Sequence, residues 1–448
     1  MRTDEYRNPE AVTSTHSDDP EIVKTETGYV TLPIGEDVYR TYATLMALPI
    51  VQQALRDIHA DDARTFDEQK TITEIPAPPF KEAPRATFYL GLLKAAGLVD
   101  AYLDTEGNVI GVRRGIPDGP TLVVSAHLDT VFPVGTDVTV KERDGRYFAP
   151  GLRDDARGLA ALLSVARALC RSDITTVGTI MFVGTVGEEG AGDLRGVKAL
   201  FREHTGIDGF VTLDYGPSDA VVTRATGSRR YDVIFRGKEG HSFNAFGLPS
   251  AIHAMGRAIA RISCLEVPRL PKTSFNVGTV RAGTSVTSIA GEARMGLDIR
   301  SNDSNELLKI ENTIVAEIKQ AVKEETLRDP DHPITVEMVR VGNRPAGANP
   351  DQAKIIQVAR HASLMAGIPI RALVATSTDA NVPISLGIPA MMIDPGGTGG
   401  GEHSLGEWYD PTDAYVGAQR ALLIILGLVG IHDSAGIDLA PLLERRCI

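Results

Sequence analysis

The sequence predicts an α/β protein with a mixed, mostly parallel central sheet and an inserted α+β unit. Three observations predict it. Apolar strand-like runs alternate with helical segments from Leu122 to Leu213, the pattern of parallel strands joined by helices. From about Arg229 the strands instead show alternating faces, with two helices interleaved, which reads as a small sandwich of helices on one sheet. After about residue 341 the first pattern returns. The 448 residues, 43% hydrophobic, are enough for more than one cored domain.

In chain order, residues 1–28 are polar and read as a loose arm, and 29–227 form the first part of the main domain. Val38 to Ala60 is helical, interrupted at Pro49, and Asp67 to Thr73 is helical as well. Prolines 76, 78 and 79 break structure before a helix from Arg85 to Ala96. Val99–Leu103 and Val109–Arg113 read as a strand pair around Glu106, Gly107 and Asn108. Strands at 122–124, 179–185 and 210–213 then surround a strong helix, Leu159 to Cys170. The insert spans 228–341. Its second helix, Ser304 to Glu325, places Leu307, Ile310, Ile314, Ile318 and Val322 on one face. Residues 342–448 complete the main domain with helices at 352–366 and 413–428 and a strand at 391–393. The intervening DPGGTGGGEHSLGEW reads as a flexible glycine loop. No Gly-Lys-Ser/Thr follows, which argues against a nucleotide.

The net charge of −12 argues against a nucleic-acid or anionic-membrane partner. Cys170, Cys264 and Cys447 are far apart, so neither a disulfide framework nor a zinc–thiolate site is expected, and a reducing compartment fits. The N-terminus lacks the apolar region of a secretory signal. No apolar run approaches the roughly 18 residues of a membrane span. A cytoplasmic protein is expected.

The chemistry gathers at strand ends. In VVSAHLDTVFP, His127 and Asp129 are two apart on a strand and point to one side, at the carboxyl edge where open α/β sheets bind ligands. His-x-Asp alone is weak evidence. Asp154 and Asp155 stand just ahead of a helix. One aspartate is accounted for by N-capping and the second is not. Glu188 and Glu189 end a strand between glycines, a repulsive pair unless a cation or proton intervenes. Asp214 ends another strand, and His403 closes the glycine loop. Two imidazoles and several carboxylates without cysteine suit divalent ions such as zinc, with a carboxylate bridging two of them.

Together, SAHLDTV, GLRDDARG, VGEEG, TLDYG, GKEGHSF, GTVRAGTSVTSIAGEARMGLDIR and GGGEHSLGE resemble the M20 family of metallopeptidases and deacylases: peptidase T, glutamate carboxypeptidase and acetylornithine deacetylase. The likeness runs from about residue 70 to the end. It implies a zinc-exopeptidase-like catalytic domain with a ferredoxin-like lid and dimerisation domain, the insert.

Residue by residue, the resemblance implies that His127 and Asp214 hold one ion, Glu189 and His403 the other, and that Asp154 bridges across a cis Asp154–Asp155 bond. The ions would be Zn2+, with Co2+ or Mn2+ as alternatives. Glu188 would be the general base, Asp129 would orient His127, and His241 would stabilise the oxyanion, from the partner chain of a homodimer. Arg300 would contact a substrate carboxylate. Thr287 and Asn381 would line the pocket, Asp379 beside them.

There are departures. The family's lysine near the aspartate pair is absent and Arg157 stands nearby. Thr287 and Ala290 replace an Asn and a Pro, and Ser377 replaces a Gly. The expected activity is hydrolysis of a small peptide, as an exopeptidase. An N-acyl amino acid deacylase is the alternative within the fold. From another class, a non-catalytic homologue binding an amino-acid derivative is weighed too, and the intact ligand set disfavours it. A structural metal protein is disfavoured by the missing cysteines.

Overall fold

The computed structural model describes residues 20–432 and 438–446. Strands of the main domain are β1 (Ile22–Thr25), β2 (Gly28–Thr31), β3 (Tyr102–Leu103), β4 (Val109–Arg113), β5 (Thr121–His127), β6 (Thr179–Thr185), β7 (Gly209–Leu213) and β8 (Ala220–Ala225). The insert supplies β9 (Gly227–Arg236), β10 (Thr273–Ala282), β11 (Glu292–Ser301) and β12 (Thr335–Arg344). The main domain then adds β13 (Ala372–Thr376) and β14 (Ala390–Ile393). Its sheet runs β2-β1-β13-β8-β14-β7-β5-β6-β4-β3. Within it β14, β7, β5 and β6 are mutually parallel. The direction reverses between β14 and β8, where Val222 faces Met392. The sheet is therefore mixed, with two parallel blocks meeting head to tail.

Helices cover it: α1 (Glu36–Ala47), α2 (Pro49–Ala60), α3 (Asp62–Thr73), α4 (Ala83–Ala95), α5 (Ala156–Arg171), α6 (Arg195–Glu203), α9 (Lys354–Met365) and α10 (Tyr415–Val429) among them. Pro49 opens α2 at the break that its position predicts. Helix α5 is buried nearly throughout, and with α10 it fills the main core against Val124, Val211 and Met391.

In the insert, β10-β11-β9-β12 form an antiparallel sheet. Helices α7 (Ala251–Ser263) and α8 (Ser304–Thr326) pack on one face. The order β-α-β-β-α-β is ferredoxin-like. Asp303 caps α8, accepting from Asn305 and Glu306 N–H at 2.9 and 2.8 Å. Leu307, Ile310, Ile314 and Ile318 then face Val233, Phe235 and Ile299 in a separate core.

Three expectations change. Residues 20–28 are no loose arm: β1 pairs with β13 and with β2, and Val23 is fully buried. Four residues of alternation are too few to stand out from a polar background. Residues 1–19 of that arm lie outside the described residues, as does Cys447. Second, the glycine run is not a free loop. Thr398–Gly400 pairs with Trp408–Asp410, and a Cβ at Gly397 (φ +79°) would meet the Tyr409 hydroxyl at 2.1 Å. Glycine is there for close approach. Third, β8 and β13 escape the sequence patterns because each is a short run beside turn residues.

Candidate metal centre

Parallel pairing puts the carboxyl ends of β5, β6, β7 and β14 on one edge. His127 ends β5 opposite Thr185 of β6, and Leu213 of β7 lies opposite Ile393. The residues following each strand converge there. His127 Nδ1 lies 3.0 Å from the Asp129 carbonyl oxygen. A carbonyl only accepts, so Nδ1 donates and Nε2 is left with its lone pair. That Nε2 lies 3.0 Å from Asp154 Oδ1 and 3.8 Å from Asp214 Oδ1. Orientation of His127 thus comes from the main chain of Asp129. The Asp129 carboxylate stands behind it, Oδ1 3.8 Å from the same Nδ1, and accepts from Glu188 and Glu189 N–H at 2.9 and 2.8 Å, fixing the turn after β6.

The aspartate pair divides its work. Asp155 caps α5, accepting from Gly158 N–H at 3.0 Å, and also holds His127 N–H at 2.9 Å. The peptide between the two is cis. Asp154 faces the cluster. His403, left-handed at φ +61°, puts Nε2 at 2.9 Å from both Asp154 Oδ2 and Glu189 Oε1.

Two residues that the sequence reading passed over support this arrangement. Glu407 accepts from Gly151, Arg153 and Asp154 N–H. Its burial, with the nearby Asp154 charge, lifts its pKa to about 7. Arg344, the last residue of β12, donates from Nη1 to Glu188 Oε1 and to Ser377 Oγ, each at 3.0 Å, and from Nη2 to the Glu188 carbonyl. Glu407 lies within the quoted GGGEHSLGE motif. No local pattern marks Arg344.

Electrostatics follow burial. Desolvation pushes Glu188 well above the usual carboxylate range, against the pull of Arg344. It raises Glu189 and Asp214 as well. For His127, burial disfavours the charged ring, but Asp154, Asp155 and Asp214 outweigh it and raise the pKa. Hydrogen bonds to Asp154 and Glu189 lift His403 to about 10.

The donors fit two divalent ions. His127, Asp154 and Asp214 offer ligand atoms within 4.8 Å of one another, and so do Asp154, Glu189 and His403. Asp154 belongs to both groups, and its buried Oδ1 has no hydrogen-bond partner. Oxygen and imidazole donors without sulfur suit zinc, manganese or cobalt. A cation's charge lets these carboxylates ionise together.

Other expected site residues sit elsewhere. Arg300 lines the same cleft of about 590 Å³, with Nε on Asp298 at 2.7 Å. Thr287 and His241 line a different cleft, on the lid. Asn381 is a correction: it is buried, outside the cleft, and its amide is used up by main chain. Nδ2 donates to Thr226 O and Pro345 O at 2.9 and 3.0 Å, and Oδ1 accepts from Thr378 N–H at 3.0 Å. Thr226 and Pro345 flank β9 and β12, so Asn381 ties both connections of the insert together. Asp379 is buried beside it, on the Thr185 hydroxyl. Arg157 does not replace the missing lysine; it turns to the Pro395 and Ala414 carbonyls.

Fold and donor set together define a hydrolase of the metal-dependent α/β type with a ferredoxin-like lid. Residues 123–426 match the profile of peptidase family M20/M25/M40, and the chain belongs to that family, whose members are metal-dependent hydrolases. It is 27% identical over 297 residues to the Bacillus subtilis protein YqjE, covering 65% of this chain and 76% of that one. With acetylornithine deacetylase of Myxococcus xanthus it shares 26% over 372 residues, 78% and 90% of the two chains. Aminopeptidase PepT of Bacillus cereus has the same fold, with TM-score 0.65 and 24% identity over 81% of this chain and 98% of its own. A Staphylococcus aureus tripeptidase aligns with TM-score 0.69 and 22% identity, over 81% and 97%.

Proposed function

We propose that the protein is a dinuclear zinc hydrolase that cleaves the amide bond of a small peptide, as an exopeptidase, or of an N-acyl amino acid. The observation that carries this reading is Asp154, shared by the groups His127–Asp154–Asp214 and Asp154–Glu189–His403, with the Glu188 carboxylate held beside them by Arg344. Bound there, two divalent ions would polarise the scissile carbonyl and make a water a nucleophile near neutral pH. His127 and Asp214 would hold one ion, Glu189 and His403 the other, and Asp154 both.

The protein's own groups do the rest. Glu188 takes the water's proton and hands it to the leaving nitrogen. Its raised pKa suits a group that must hold a proton part of the time. Arg344 keeps its carboxylate aimed at the cleft. His241 accepts at Nδ1 from Phe243 and Asn244 N–H, at 3.2 and 3.4 Å. Its proton is then on Nε2, the correct tautomer to donate to an oxyanion.

The cleft also carries a direction. Arg230, Arg300 and Arg344 line it, and its only carboxylates are the ligands and Glu188. No further carboxylate among the described residues lines it to anchor an α-ammonium. Arg344 uses both Nη atoms and Arg230 its Nε and Nη1 on protein partners, whereas Arg300 uses only Nε, on Asp298, which leaves its Nη atoms for a substrate carboxylate. This favours a carboxypeptidase, dipeptidase or deacylase over an aminopeptidase.

His241 does not line the metal cleft, so we include a second copy in the reading: a homodimer through the lid in which His241 serves the other chain. Phe243, Phe246 and Val286, beside it, are 84, 82 and 99% exposed. Strand β10 is a sheet edge open to pairing. Cys170 and Cys264 are free thiols, in keeping with a cytoplasmic site of action. No helix of the described residues is long and apolar enough to cross a membrane.

The test is elemental analysis of metal-saturated protein, joined to a turnover screen on dipeptides, tripeptides and N-acyl amino acids. Two ions per chain and zinc-dependent hydrolysis are expected. A single ion, or two ions with no hydrolysis of any class, overturns the reading.

A further inference from the structure

Beside the metal cleft lies a pocket of about 240 Å³, and the two share Arg300, Ala375, Thr376 and Ser377. Strand alternation builds its lid wall. Thr273 points into the lid, where its hydroxyl meets Ser301 Oγ at 3.0 Å. Its neighbours Lys272 and Ser274 therefore point out. On the adjoining strand, Arg300 is the cross-strand partner of Ser274, and Asn302 N–H donates to Lys272 O at 3.1 Å. Lys272, Ser274, Arg300 and Asn302 form a two-by-two block on the sheet face opposite the helices, turned to the end of β13.

The block is cationic and partly unsatisfied. No carboxylate lines the pocket. Arg300 uses only Nε, on Asp298. Its two Nη atoms, Lys272 Nζ and Ser274 Oγ have no hydrogen-bond partner among the described residues. At the rim, Glu26 from the β1–β2 turn sets Oε1 on Lys272 N and Asn302 Nδ2, at 3.0 and 2.9 Å. A carboxylate thus already rests on the amide donors of this block, and the ammonium is left over.

We propose that this pocket is a subsite for an acidic side chain, so that the preferred substrate is a peptide or N-acyl amino acid whose free-carboxylate residue is Glu or Asp. The inference rests on the hydrolase reading and names its substrate class. Arg300 takes the α-carboxylate at the mouth shared with the metal cleft. Lys272 and Ser274 take the side-chain carboxylate through charge-assisted hydrogen bonds. Ser274 is opposite Arg300 and Lys272 is the diagonal neighbour of Arg300, about 7–8 Å away, a gap that two long side chains can close around the two carboxylates of one short residue.

The experiment assays the metal-loaded full chain on N-acetyl-Glu, N-acetyl-Gln and N-acetyl-Leu, and on Gly-Glu, Gly-Gln and Gly-Leu. Glu is expected to exceed Gln by about tenfold or more in kcat/KM, mainly through KM, as hydrogen bonds to charged groups allow. Lys272→Gln should bring that ratio toward one, and Lys272→Glu should reverse it. Calorimetry with glutarate and butyrate supplies a binding readout that needs no turnover: glutarate should bind more tightly to wild type, and less so to Lys272→Gln. If a variant fails to fold, the wild-type ratios alone decide. Hydrolysis with equal efficiency on Glu and Gln overturns the subsite and leaves the hydrolase standing. No hydrolysis at all overturns the hydrolase reading, and equal binding of glutarate and butyrate then overturns the subsite separately.

Discussion

The metal cleft and the lid face opposite it hold their ionisable side chains in opposite settings. In the cleft, His127, Asp154, Glu188 and Asp214 are 2, 3, 5 and 5% exposed. Every one is held by main chain or by a buried partner. On the lid, His241 and Lys272 are exposed and Arg300 is half-buried. Buried charges must be oriented by the fold before any ligand arrives, because misplacing them is expensive. Exposed charges can wait for a substrate or a second copy. Breaking the cleft should therefore damage chemistry directly, whereas breaking the lid should damage it only through what the lid meets.

The largest effect is expected at Glu188. Glu188→Gln should keep fold and both ions but lower kcat by about 10²–10⁴-fold, the usual worth of a general base. Unchanged turnover with two ions bound would remove Glu188 from the mechanism. His241→Ala comes next, at about 10²–10³-fold, with metal content unaltered. Mixing inactive His241→Ala chains with inactive Glu188→Gln chains under subunit exchange should restore activity, since one site of each mixed dimer is then complete. No recovery despite proven exchange, or a monomer by light scattering, would confine His241 to its own chain.

The smallest effect concerns stability and probes the cost of buried charge behind the cleft. Burial raises the Asp379 pKa from 3.8 to about 6, so the folded state favours the protonated acid. Its contribution to stability is full below about pH 4 and is lost as pH rises through 6. The difference amounts to about 3 kcal/mol above pH 7. Asp379→Asn should remove this dependence. Denaturant unfolding of metal-free protein should show the variant gaining on wild type between pH 4 and 6 and holding that gain to pH 8. Parallel pH profiles for the two proteins would show that Asp379 titrates normally.

Much of the site was legible because its signals are local. Alternation along β5 sets His127 and Asp129 on one side, capping accounts for Asp155 and releases Asp154, and strand ends locate Glu188, Glu189 and Asp214. Those are rules spanning two to four residues. The helix break at Pro49 and the apolar face of α8 were readable for the same reason. Local rules also misled. Glycines at 396–401 read as flexibility, and only the Tyr409 ring against Gly397 shows that they serve close packing. Asn381 looked like a pocket residue because it follows Asp379, yet its amide faces Thr226 and Pro345.

What the sequence by itself determined is therefore the inventory: which side chains sit at strand ends, which faces are apolar, and that an insert interrupts the main domain. The tertiary structure decided which of them meet. Arg344 reaches Glu188 across 156 positions, and Glu407 reaches Asp154 across 253. It also set Lys272 beside Arg300 and left His241 off the metal cleft. Such pairings depend on strand order and on how the insert packs against the main sheet. Those are settled by burying two apolar cores at once, a condition on the whole chain that no short stretch of residues records.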